Sequence, residues 1–432
     1  MSPLRRRAVV DALRRGTVPA HALDVLAVGL DRFAAAVTEE LDLAADGGGC
    51  FKAVRGEYGT GKTFFVRWLQ EQARQRGFAT AEVQISEAET PLHRLETVYR
   101  RAMERLATED TPEGALTGVV ERWFFALESD VIADGTPEGA ADFDSVVEGR
   151  LESRLAEVST VAPQFAAALR AWRRATRDGD AATAQGLLAW LGGQPNVGAS
   201  VKRSAAVKGD LDHFGAMGFL RGVLKVMRGA GHPGLVLVLD EVETLQRVRG
   251  DVREKSLNGL RQLVDEVHEG RFPGLYLLIT GTAAFFDGPH GVQRLAPLAQ
   301  RLATDFTTDP RFDNPRAIQI RLTPFDYDRL VEVGRRVRDI FAGGLAEAER
   351  ARVSSRCTDA WIERFARAVA GQLGAKVGLA PRIFLKKLVA DVLDRIELFP
   401  DFDPGADYKP MIRAAELTEE ERPALTVDDV EL

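Results

Sequence analysis

Eight consecutive residues, Gly56-Glu57-Tyr58-Gly59-Thr60-Gly61-Lys62-Thr63, bring together what a triphosphate needs. Glycines remove side chains, so backbone N–H groups can curl around phosphate oxygens. Lys62 offers a mobile positive charge to the β- and γ-phosphates, and Thr63 a hydroxyl to Mg2+. The spacing fits G-x-x-x-x-G-K-[ST] at every fixed position. Nucleotide contact is therefore expected from Gly56 through Thr63 and from Phe64 just beyond. Hydrolysis needs more than binding. The run Leu235-Val236-Leu237-Val238-Leu239 ends in Asp240-Glu241. An Asp at a buried strand end beside a phosphate loop can hold Mg2+, and the adjacent Glu241 can polarise a water for in-line attack. Glu243 is the reserve base. Thr280, in Thr280-Gly281-Thr282 at the end of another apolar run, is placed to touch the γ-phosphate or the attacking water. Arg382 follows Pro381 at a helix start, which would aim its guanidinium back toward whatever that end faces.

These groups need elements to carry them. Cys50 to Arg55 reads as a strand before the loop, and Phe64 onward as a helix stopped by Gly77. Such a helix points its partial positive N-terminal charge at phosphate. Phe78 to Ile85 alternates with period two and predicts a strand; 89–106 carries an apolar helical stripe. The runs 235–239, 275–279 and 317–322 predict further buried strands, with a helical stripe at 257–267 between the first two. Strands alternating with helices predict a three-layer α/β fold around a parallel sheet. The expected organisation is an N-terminal helical linker (1–47) and a core (48–328) holding a helical insert at about 108–212. A helical lid (329–398) and an acidic tail (399–432) follow. Within the insert, Thr111-Pro112-Glu113-Gly114 and Thr136-Pro137-Glu138-Gly139 are matching turns, and 192–208 reads as a loop.

The 432 residues suffice for a large core. No apolar run approaches the roughly 18 residues that cross a bilayer, and no apolar stretch follows the basic N-terminus, so neither membrane nor secretion is expected. Two distant cysteines fit a reducing cytoplasm, and six scattered histidines make no zinc spacing. A net charge of −7 disfavours nucleic-acid binding by bulk electrostatics. A local patch is still conceivable: Arg170, Arg173, Arg174 and Arg177 could touch a phosphate backbone, although such a run is usually a solvated helix face.

The order of these motifs resembles AAA+ ATPases of the additional-strand class. That resemblance implies a sensor role for Thr280 and a second, nucleotide-contacting sensor role for Arg382. It also implies an arginine acting in trans from a neighbouring copy, with Arg301 first choice and Arg294 second. A closer resemblance, to the ATP-binding proteins of BREX phage-defence systems of the BrxD type, rests on 12–19, Val25-Leu26-Ala27-Val28-Gly29, 55–63, 90–100, 239–243 and 380–382. Val28 of the second stretch joins the expected nucleotide contacts. This resemblance implies a cytoplasmic ATPase subunit using ATP and Mg2+ in defence against phage DNA. Its companions would be a methyltransferase, a phosphatase-like protein and a helicase, with DNA and a second copy of the chain as further candidate partners. Lys62 and Asp240 lie 178 positions apart, which leaves the long helical insert as the expected docking surface; its Trp123, Trp172 and Trp190 read as core residues. Two other activities compete: a nucleotide-gated switch with negligible hydrolysis, and a DNA-binding regulator on an ATPase-like core.

Overall fold

The computed structural model describes residues 1–372 and 381–413. Five strands, β1 (Cys50–Arg55), β2 (Ala79–Gln84), β3 (Leu235–Asp240), β4 (Leu275–Gly281) and β5 (Gln319–Arg321), form one sheet in the order β2-β3-β4-β1-β5. Every pair is parallel, so each connection must cross over the sheet. Successive side chains point to opposite faces, and both faces are apolar. Leu235, Leu237 and Leu239 enter one buried cluster; Val236 and Val238 enter another. Helices therefore cover the sheet on both sides, as the unbroken apolar runs require.

Three helices precede β2: α1 (Pro3–Arg15), α2 (Asp31–Ala45) and α3 (Lys62–Gln75). α2 and α3 pack on the Val236 face. α1 does not join them. Its Val9, Val10 and Leu13 sit among lid residues such as Leu330, Val337 and Phe384, and Arg14 grips Asp394 at 2.6 and 2.8 Å. The segment expected as one N-terminal linker is thus shared between lid and core, and residues 16–30 bridge them.

α4 (Leu95–Glu104) starts later than the expected 89–106, because Ser86–Pro91 is a turn closed by Thr90, whose hydroxyl donates to the Gln84 carbonyl. The insert follows as α5 (Leu116–Ala133), α6 (Phe143–Val161), α7 (Pro163–Arg177), α8 (Ala181–Leu191) and α9 (Ala199–Ser204). α9 lies inside the stretch expected to be loop. Trp123, Trp172 and Trp190 are buried, in one apolar cluster continuous with the sheet. α10 (His213–Gly229) returns to the sheet, packing on both α4 and α5.

Beyond β3 come α11 (Gly250–His268), α12 (Ala283–Asp287) and α13 (Ala296–Arg301). The helices of the segment expected as a lid are α14 (Tyr327–Ala342), α15 (Glu347–Arg356), α16 (Asp359–Gln372) and α17 (Pro381–Lys387), the last continuing through a π-helical turn at Leu388–Leu393. Gly378, Leu379 and Ala380, and the tail from 414, lie outside the described residues. Residues 399–413 run back over the lid, where Tyr408 donates to Asp391 at 2.9 Å. Among the described residues no helix is long and apolar enough to cross a membrane. Burial pushes the Cys50 and Cys357 thiols up to about 11 and about 12, leaving neither as a nucleophile near neutrality.

Candidate functional site

The glycine-rich loop 56–61 leaves the end of β1 and enters α3. The Gly56 N–H donates to the Gly281 carbonyl at 3.1 Å, which ties the start of the loop to the neighbouring strand β4. A Cβ at Gly56 would lie 2.4 Å from the Thr60 hydroxyl, which itself donates to the Glu57 carbonyl at 2.8 Å. Gly59 and Gly61 have φ of +80° and +92°, with no atom within 4 Å of a Cβ built on either. The loop backbone is therefore left-handed at both glycines and open in front of them, so its N–H groups are accessible to an anion. Lys62 donates to its own loop, to the Gly56 carbonyl at 2.7 Å and the Glu57 carbonyl at 3.3 Å, and its amine faces the Tyr58 ring at 5.1 Å. Thr63 is exposed in the first turn of α3.

A cavity of about 370 Å³ opens over this loop, lined by Glu57 through Phe64 together with Asp240, Glu241, Glu243, Val28 and Arg382. Parallel pairing explains the meeting. β4 sits between β1 and β3, with Val54 opposite Thr280 and Leu239 opposite Ile279, so the ends of all three strands are level. The distant Lys62 and Asp240 thus share one wall.

Asp240 is buried at the tip of β3. It accepts from the Thr280 hydroxyl and, at 3.1 Å, from the Glu241 N–H. The same N–H lies 3.1 Å from Thr280 Oγ1. Thr280 is fully buried and does not line the cavity, so it stands behind Asp240 instead of facing the γ-phosphate position expected for it. Thr280→Val keeps the shape and removes the hydroxyl. It is expected to cost about 1–3 kcal/mol in denaturant unfolding, because the Asp240 carboxylate loses its buried donor.

Glu241 has φ of +59°, a left-handed conformation that costs a non-glycine residue roughly 1 kcal/mol or more. Its carboxylate accepts from the Gln84 amide at 2.8 Å, a contact set by the register that places Gln84 beside Asp240. Glu243 is only 5% exposed, and neither of its carboxylate oxygens has a hydrogen-bond partner. Lys62, at 4.0 Å, is its ion-pair contact. Burial pushes the Glu243 carboxyl above the usual carboxylate range, with Asp240 and Glu241 adding to the rise and Lys62 opposing it. A raised folded-state value means that the folded chain binds the extra proton. Stability is therefore fully present below the ordinary carboxylate range and is lost as pH rises through the folded value. Glu243→Gln should flatten that loss in thermal unfolding scans taken between pH 4 and pH 8.

The other half of the cavity is apolar and spans three regions: Leu13, Val18 and Leu26 from the N-terminal segment, Leu322 and Phe325 after β5, and Val333 and Leu385 from the lid. Sequence patterns missed Gln84, which nothing local distinguishes, and Arg329. Arg329 lies on this wall and donates to the Thr323 hydroxyl at 3.0 Å. A signal for it existed in Gly29, whose φ is +77° and whose Cβ would meet the Arg329 guanidinium at 3.0 Å.

Other expected residues are elsewhere. Arg301, expected to act on a neighbouring copy, is bound to Asp265 of α11 and donates to the Pro297 carbonyl at 2.8 Å. Arg294, the second choice, is exposed on the one-turn helix Val292–Arg294. Local order alone could not separate them, because the difference is a partner on another helix. The basic run of α7 is also committed within the chain. Arg170 binds Glu152 and Arg173 binds Glu128 at 2.9 Å, while Arg174 reaches the Ser204 carbonyl. Residues 108–212 hold 17 acidic and 10 basic side chains, an excess equal to the net charge of the whole chain. The insert thus carries a net negative charge, which disfavours a phosphate backbone by bulk electrostatics.

No curated protein matches the chain. A family model described as BREX system ATP-binding protein BrxC/D matches residues 1–411, a span that takes in the glycine-rich loop, the acidic strand end, the C-terminal helices and the segment bridging α1 and α2. With that match over nearly its whole length, the chain belongs to the BREX system ATP-binding protein BrxC/D family.

Proposed function

We propose that this chain is a MgATP-hydrolysing subunit of a BREX system, in which binding and turnover of ATP drive assembly or DNA-directed action of partner proteins. The single observation that carries the proposal is the shared wall: the loop with Lys62 and the Asp240-Glu241 strand end line one cavity although the whole insert separates them in sequence. The strand order, with β4 between the loop strand and the acidic strand, is the one expected of an additional-strand AAA+ ATPase and supports that placement.

The residues present fit a magnesium triphosphate. Open left-handed glycines, an exposed Thr63 hydroxyl and a buried Asp240 carboxylate make a set of N–H donors and hard oxygens. Among the described residues no group of three or more His, Cys, Asp or Glu is arranged as a metal cage. Mg2+ commonly takes one or two protein oxygens and completes its shell with phosphate and water, so Thr63 and Asp240 would be its ligands. Bound there, the ion neutralises phosphate charge and polarises the terminal phosphoryl group. Lys62 exchanges the Gly56 and Glu57 carbonyls for triphosphate oxygens. Thr280 holds Asp240 in place. Glu241 accepts the proton of the attacking water, which requires its carboxylate to leave the Gln84 amide. Arg382 contacts the nucleotide from the lid, and the apolar wall takes the base. Arg294, which is exposed, is the better placed of the two arginines to act on a neighbouring copy.

Calorimetry with MgATP, paired with steady-state phosphate release with and without duplex DNA, tests the proposal. A micromolar or tighter Kd with measurable turnover is expected. Tight binding without turnover under any of these conditions would leave a nucleotide-gated switch, and no binding would remove the proposal.

A further inference from the structure

One wall of the cavity is a strap, residues 17–30, that contributes Thr17, Val18, Pro19, Leu26, Val28 and Leu30. It has little regular structure beyond one 3-10 turn, Leu23–Leu26, so something else must hold its shape. What holds it is one face of α3. Glu71 accepts from the Ala22 N–H at 2.6 Å and the Leu23 N–H at 2.7 Å. Asp24 accepts from Trp68 Nε1 at 3.0 Å and from the Gln72 amide at 2.6 Å, and Arg67 donates to the Val18 carbonyl at 2.9 Å. Positions 67, 68, 71 and 72 fall on one side of a 3.6-residue helix.

Glu71 is the centre of this clasp. It is 8% exposed, and a carboxylate so deep in the protein is costly unless its oxygens are bonded. Here the two N–H groups it receives open the 3-10 turn and have no partner within that turn, as at any helix start. They belong to consecutive residues, so the carboxylate fixes both the position and the direction of the chain. The turn is entered through Ala22, whose φ of +59° is a left-handed conformation that alanine adopts only when its surroundings impose it. α3 is also the helix whose first residue is Lys62. Its first turn faces the phosphate loop and its next two turns hold the strap.

We propose that Glu71 is a positioning residue for the base-side wall of the nucleotide cavity, locking the strap to the helix that begins at the phosphate loop. This inference rests on the nucleotide reading above and adds to it: recognition of base and of phosphates is coupled through one helix, with Glu71 touching neither.

Glu71→Gln keeps the size but can accept only one of the two N–H groups, and it presents its own amide hydrogens to the other. In the full-length chain it should weaken MgATP binding about tenfold, the usual consequence of leaving a buried donor unpaired. Affinity for inorganic triphosphate with Mg2+, measured by the same calorimetry, should not change, because triphosphate has no base to place. Amide hydrogen exchange should quicken across 17–30 and stay as in the wild type across 56–63. Trp68→Phe, which loses the bond to Asp24 together with part of a buried ring, should move both readouts in the same direction by a smaller factor, and it serves if the Gln variant does not fold. Equal losses for ATP and triphosphate, or unchanged exchange in the strap, would overturn the positioning role. The exchange comparison decides if triphosphate alone binds too weakly to measure. Failure of the wild-type chain to bind either ligand would instead remove the nucleotide reading.

Discussion

Glu241→Gln should bind MgATP as the wild type does and hydrolyse it at least about a hundredfold more slowly, the usual contribution of a positioned general base. The substitution is nearly isosteric. It removes one ionisable group and leaves the loop, Lys62 and Asp240 untouched. Glu241 is the acidic residue of the cavity held in a strained backbone position, with φ of +59°, and its carboxylate is parked on Gln84 at 2.8 Å. Strain of this kind persists where the surroundings over-determine it, here through the shared Asp240 and Thr280 contacts to its N–H. Gln84→Ala makes the complementary change: with its partner gone, the Glu241 carboxylate is released, and turnover should rise or keep pace instead of collapsing. Phosphate release measured on both variants, alongside ATP affinity, checks the assignment. Glu243 is the internal control. It is buried and its carboxyl is held above the usual carboxylate range, which strengthens it as a base and makes it the alternative the comparison must test. If Glu243→Gln abolished turnover while Glu241→Gln did not, the base would be Glu243.

Lys62→Ala should abolish measurable ATP binding, weakening it by roughly two orders of magnitude or more. A charge-assisted bond to phosphate is worth about 1.5–3 kcal/mol, and two terminal phosphates lose their cation together. The variant has a second cost. In the structure Lys62 closes the loop onto the Gly56 and Glu57 carbonyls and is the cation in ion-pair range of the buried Glu243. Its loss therefore leaves a buried carboxyl with no compensating charge, which should drive Glu243 further toward its neutral form. Calorimetry gives the loss of affinity, and thermal unfolding shows whether the fold survives. A Kd within tenfold of wild type would mean that the phosphates do not lie on this loop.

The acidic insert bears on partners. Arg170 and Arg173 of α7 are paired within it, and its charge excess equals the −7 of the whole chain. A surface of that sign favours a basic protein segment over a nucleic acid, so any DNA-directed action is better sought through companion proteins than on α7.

Much of the core was legible in the residues because its signals are local. The glycine loop, the strand before it, the helix after it and the five-residue apolar run at 235–239 each depend on neighbours a few positions away, and each formed where the pattern put it. The three insert tryptophans, read as core residues, are buried in one apolar cluster. Elements with mixed signals were less legible. Helix α4 begins at Leu95 because Ser86 and Thr90 close a turn first, and a short helix occupies part of the 192–208 stretch whose glycines and serines suggested loop.

The sequence by itself determined which chemistry this chain could carry: a phosphate cradle, a lysine, a hydroxyl and two acids at a strand end, with alternating elements to bear them. Only the tertiary structure decided who faces whom. Sheet register set Gln84 against Glu241 and Thr280 behind Asp240; helix packing tied Arg301 to Asp265; and α1, first in the chain, joined the lid that comes last. The reason is physical. Periodicity and turn chemistry are fixed by atoms a few bonds apart, whereas a hydrogen-bond partner 40 to 380 residues away is chosen by how whole layers pack, and no short window of residues contains that information.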